Sequence, residues 1–241
     1  MRLSSRVATL LAVAALPLAL SACSTGSSDG SSHSGASAKP AKAKNPDAGL
    51  LTGTQLKQVL APASAFPAGF THQADGSSDS GDKFLSPSGR KTAKPDCTRL
   101  EGTAWIQVTG FEGGVSFAQD DYANQDNTEE VAQEIDAFRG TTAKTVMKQL
   151  QSVATECATF TDTDAHARVK VTGRSTAGLG DEAFTMTLTS GAWENGTTLI
   201  AARSGNTVVT VLSTAGSDDG AATAKKVTTR VLKSLKGKSA A

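Results

Sequence analysis

Phe184-Thr185-Met186-Thr187-Leu188-Thr189 alternates apolar and hydroxyl side chains without a break. A period of two marks a strand with one face turned to a core. The pattern recurs on both sides. Upstream, Ala167, Val169 and Val171 alternate with His166, Arg168, Lys170 and Thr172. Downstream, Thr197–Arg203 and Thr207–Ser213 flank Gly205-Asn206, a tight-hairpin signal. Strands this close in sequence are expected to pair antiparallel. Gly140-Thr141-Thr142 opens a helix whose apolar stripe is Ala143, Val146, Met147, Leu150, Val153, Ala154 and Cys157. A last helix spans Gly220–Leu235, with Ala224, Val227, Val231, Leu232 and Leu235 inward. Asp218 and Asp219 at its start and Lys233 and Lys236 at its end match the helix dipole. Val131–Phe138 fits a helix through Val131, Ile135 and Phe138 and a strand by alternation; the strand is the reading taken. Trp105–Val108 and Val115–Tyr122 read as a hairpin across Gly110, Gly113 and Gly114. Thr52 or Thr54 caps a short helix that Pro62 ends, and Asp75–Asp96 reads as a long surface loop. The expected class is α+β: a mainly antiparallel sheet with two long helices packed on one face.

The N-terminal segment sets the compartment. Arg2 and Arg6 precede an apolar run from Val7 to Leu20, too short for a membrane-spanning helix and right for a secretory signal. The run ends at Leu20-Ser21-Ala22-Cys23, which resembles the lipobox of bacterial lipoproteins. The resemblance implies removal of residues 1–22, a diacylglycerol on the Cys23 sulfur, and an extracytoplasmic protein anchored to the cell membrane. The alternative is an ordinary signal cut after Ala22, which leaves Cys23 a spare thiol. Residues 23–46 are rich in Ser, Gly, Ala and Lys without apolar period and read as a tether, with a reach of about 25 Å. Gly26-Ser27-Ser28-Asp29-Gly30 matches a nucleophile elbow in letters only, lacking the strand and helix that motif needs. The folded domain is placed at residues 47–237, with 238–241 a disordered tail.

With Cys23 given to lipid, Cys97 and Cys157 remain, an even pair in an oxidising compartment, and are read as a disulfide. The loop of about 60 residues between them makes that bond worth about 4 kcal/mol in the chain-entropy model. A thiol or metal site is the competing reading, though no histidine stands at ligand spacing.

Lipobox, tether, Cys97…Cys157, Gly178-Leu179-Gly180-Asp181-Glu182-Ala183-Phe184 and Ala202-Arg203…Asn206-Thr207-Val208-Val209 together resemble actinobacterial lipoproteins related to PknH-type extracellular sensor domains. The likeness covers residues 48 to 236. In that family the domain stands alone as a lipoprotein or outside the membrane on a serine/threonine kinase. The kinase-linked sensors carry two disulfides, whereas this chain has cysteines for one. The resemblance implies sensing or ligand binding, with any signalling passed through a partner.

Residue chemistry adds few candidates. His33, His72 and His166 have no partners at metal or triad spacing, so neither metal nor cofactor is expected. A net charge of +1 and no basic–aromatic interleaving argue against nucleic acid. Between Arg99 and Arg139 every charge is acidic, including Asp120, Asp121, Glu134 and Asp136; such a run reads as a solvated rim or a face for a basic partner. Gly178–Phe184 shapes either a binding turn or a plain entry to a strand. Arg168 and Lys170, with Thr185 and Thr187, are expected to share the sheet face away from the helices, and Trp193 to stand exposed in a turn near a ligand. No convergent acid, base and nucleophile point to an enzyme. The expectation is a non-catalytic binding or sensing lipoprotein for a cell-envelope ligand. The alternative is an accessory lipoprotein that docks another envelope protein.

Overall fold

The computed structural model describes residues 45–91 and 93–239. The signal, Cys23 and nearly all of the tether lie outside the described residues. Eight strands form one sheet: β1 (Thr71–Asp79), β2 (Ser116–Ala123), β3 (Glu130–Ala137), β4 (Thr159–Thr161), β5 (Arg168–Ser175), β6 (Glu182–Ser190), β7 (Thr197–Ser204) and β8 (Thr207–Ser213). Their order is β1-β2-β3-β8-β7-β6-β5-β4, and every neighbouring pair is antiparallel. The helices are α1 (Gly53–Lys57), α2 (Thr142–Glu156) and α3 (Ala221–Ser239).

The topology has a simple cause. After β3, Gly140 at φ 58° turns the chain into α2, which carries it from mid-sheet toward the far edge. From β4 the chain returns strand by strand until β8 pairs with β3. The β7–β8 turn is at Gly205-Asn206, where Gly205 takes φ 60°, the left-handed backbone a tight hairpin requires. The antiparallel α+β class is as expected.

The helices, however, lie on opposite faces, not on one. Leu199, Ala201, Val208 and Leu212 pack under α2 through Val146, Met147, Leu150 and Val153. Ile200, Ala202, Val209 and Val211 pack under α3 through Ala224, Val227, Val231 and Leu232. Successive residues of a strand point to opposite faces, so the middle strands are buried on both. Polar links join the layers: Gln133 on β3 accepts from the Ala61 backbone N–H at 2.8 Å and donates to the Ala61 carbonyl at 2.9 Å.

Other expectations change. Trp105–Thr109 is a 3₁₀ turn rather than a strand, with Trp105, Ile106 and Val108 all buried under α2. The expected loop from Asp75 contains the end of edge strand β1, which bulges between Gln73 and Ser78. Helix α3 continues to Ser239, two residues past the boundary at Gly237, and Lys238 donates to Gln58 at 3.1 Å; residues 240–241 lie outside the described residues. Cys97 and Cys157 are bonded, their Cα atoms 5.5 Å apart, tying the 3₁₀ turn Cys97–Glu101 to the end of α2.

Candidate functional site

The β4–β5 edge of the sheet holds an open recess of about 760 Å³, lined among others by Thr159, Arg168, Lys170, Thr189 and Ser190. Its geometry follows from strand register. Thr159 stands opposite Lys170 and Thr161 opposite Arg168 on one side. Lys170 stands opposite Thr189 on the other. One face of this corner therefore carries only hydroxyls and cations. Arg168 and Lys170 are exposed, and among the described residues neither forms an ion pair. The Arg168 guanidinium donates weakly to Thr159 Oγ1 at 3.4 Å.

Two turns flank the corner, and Asp162 holds both. Its Oδ1 accepts from the Asp164 and Ala165 backbone N–H groups, each at 2.7 Å, closing the 162–166 turn. Its Oδ2 accepts from Trp193 Nε1 at 2.7 Å, which ties in the 191–196 turn. Trp193 is thus half-buried against the core and does not line this recess. It positions the turn beside Ser190 and Gly191.

The threonines expected beside the cations are on the same face, further along. Thr172 is opposite Thr187, and Arg174 opposite Thr185. Thr185 is buried and its hydroxyl lies 2.6 Å from that of Thr176. This face is the one α3 covers in its middle, so the expectation that it lies away from both helices is corrected. It is open only beyond the helix, over β5 and β6.

The segment Gly178–Phe184 is a structural turn. Arg203 on β7 donates to Glu182 and to Asp181 Oδ2, the latter at 2.8 Å, and Asp181 also accepts from the Gly205 N–H at 2.8 Å. Gly180, at φ 62°, leaves room for the Arg203 carbonyl that a Cβ would strike.

A second polar cluster was missed by the sequence reading. Asp121, Glu134 and Asp136 are buried on the α2 face of β2 and β3, not displayed on a solvated rim. Glu134 and Asp136 sit two apart on β3, hence side by side on one face. Burial, then the neighbouring Asp136, push the Glu134 carboxyl well above its usual range. Burial pushes Asp136 up to about 6, against the 2.6 Å hydrogen bond it accepts from Gly114 N–H. Burial therefore favours the protonated form of both carboxyls, and neither lines the recess at the β4–β5 corner. The usable signal was the spacing of two acids inside a strand whose neighbours are apolar.

Against known proteins, the chain matches no family model and no curated relative.

Proposed function

We propose that this protein is a lipid-anchored extracytoplasmic binding or sensing module, without catalysis, that recognises an anionic cell-envelope ligand. The observation that carries the reading is the open recess at the β4–β5 corner, where Arg168 and Lys170 stand among hydroxyl groups without acidic partners among the described residues. Unpaired cations beside hydroxyl donors suit carboxylate, phosphate or sulfate groups, which accept charge-assisted hydrogen bonds. The N-terminal segment supports the location: a secretory leader followed by Cys23, with a tether between anchor and domain.

Calorimetric titration with envelope fragments separated by charge tests the reading. The anionic fraction is expected to bind, several-fold more weakly after Arg168→Ala with Lys170→Ala, and more weakly in high salt. Equal affinity of wild type and double variant, or binding confined to the neutral fraction, overturns it.

A further inference from the structure

Beyond the first recess the same face continues along β5 and β6. The cross-strand pairs Lys170–Thr189, Thr172–Thr187 and Arg174–Thr185 form a strip of cations and hydroxyls. None of the positions on this face of β4, β5 and β6 is acidic. The strip ends in a second recess of about 230 Å³ under the first turn of α3, lined among others by Arg174, Thr185, Thr198, Ala221 and Lys225. Thr198 is 1% exposed, and its hydroxyl meets no partner among the described residues. Arg174 and Lys225 also form no ion pair among them. Of the nearby acids, Asp218 accepts from the N–H of Ala222, at the edge of this recess, at 2.8 Å, and Asp219 from Gly196 N–H at 2.7 Å.

Distance decides what such a strip can hold. Arg168 to Arg174 spans six strand steps, about 20 Å. That exceeds the screening length of about 8 Å in physiological salt, so one compact anion at either end leaves the other unanswered. A chain of anionic units meets both ends at once, and the second contact then forms intramolecularly.

We infer that the strip is one continuous site for an extended polyanionic glycan, with the two recesses as its end subsites. The inference rests on the proposed function and extends it from one anionic group to a polymer. Hydroxyls of Thr172, Thr187 and Thr189 face the sugar between the charged ends.

Calorimetry with galacturonic acid oligomers, from monomer to octamer, tests it at low salt on the purified chain. Affinity is expected to climb roughly tenfold or more once an oligomer spans both recesses, then level off. Arg174→Ala with Lys225→Ala removes the climb and leaves the affinity of short oligomers unchanged. Arg168→Ala with Lys170→Ala weakens every length. All four side chains are exposed, and a melting temperature unchanged from wild type establishes that the variants fold. Binding that does not grow with length, or a climb that survives Arg174→Ala with Lys225→Ala, overturns the extended site and spares the single-anion reading. Vesicles of anionic phospholipid that displace octamer equally well from wild type and from that variant also overturn it, and assign the cations to a lipid headgroup. Failure of every oligomer and of the vesicles to bind wild type overturns both.

Discussion

Glu134 and Asp136 couple the interior of the domain to pH. A carboxyl whose value is raised on folding binds its proton more tightly folded than unfolded, so stability falls as pH rises between the two values. For Asp136 that window runs from the ordinary aspartate value of 3.8 to about 6, and Glu134 carries it higher. Opposing contributions come from Asp79, held below its usual range by the Gly81 N–H and by Lys57, and from Glu112, held down by Lys91. Both are at the surface, where solvent screening leaves such pairs worth little, so the buried pair dominates. The melting temperature is expected to rise as pH is lowered from about 8 to about 5, where the buried acids stay protonated. Glu134→Gln keeps a donor beside Asp136 and removes an ionisable group. It should raise the melting temperature at about pH 8 and have little effect at about pH 4. A wild type more stable at the higher pH would show that burial does not favour the protonated forms.

At the scale of elements, two attachments decide how α2 sits. Gly173 on β5 has its backbone so close to the helix that an added Cβ would lie 2.6 Å from Ala154 Cβ and 2.7 Å from Phe184 Cζ. Gly173→Ala therefore overpacks the contact and should cost about 1–3 kcal/mol, read as a fall in the melting temperature. An unchanged value would mean that α2 shifts freely. The disulfide at the end of α2 closes a loop of 60 residues and, with it, the buried 3₁₀ turn of Trp105–Thr109. Reduction should lower stability by about 4 kcal/mol if loop entropy dominates, measured by thermal unfolding with and without reductant. Full reactivity of both cysteines to alkylation before reduction would contradict the bond. Strands were legible where one face is apolar and the other polar, as in Phe184–Thr189. Trp105–Val108 was not: over four residues, a 3₁₀ turn with all its apolar side chains buried shows the same letters as an alternating strand. Strand β1 was illegible for a different reason. Residues Thr71–Asp79 hold Asp75, Gly76, Ser77 and Ser78, and backbone pairing with β2, not side-chain burial, makes them a strand.

For the whole molecule, the placement of helices on two faces had a signal in the sequence. Leu199-Ile200-Ala201-Ala202 and Val208-Val209 are continuous apolar runs, as strands covered on both sides require. Alternation in β5 and β6 drew the reading toward a one-sided sheet. Strand β5 is one-sided, and β6 is covered on the α3 face at Ala183 and Thr185 but open at Thr189, so the cations of the candidate site remain exposed there. The common face of these residues was legible, because Arg168 and Lys170 alternate with the buried valines of β5 and Thr185 and Thr187 with the apolar residues of β6, whereas the role of Trp193 depended on Asp162 across a turn. The remaining expectation concerns where this surface works. On the proposed lipidation, a diacylglycerol on Cys23 would place two acyl chains in the membrane, enough for stable anchoring, and a tether of about 25 Å reach would keep the domain near the envelope polymers the strip is proposed to hold. Cys23→Ala should move the protein from the detergent phase into the medium, or leave it unprocessed with its leader. The folded domain should keep its melting temperature, since Cys97 and Cys157 pair only with each other. Partitioning of the variant into detergent as completely as the wild type would remove the lipid from the account. The proposed binding strip would then act free of the membrane.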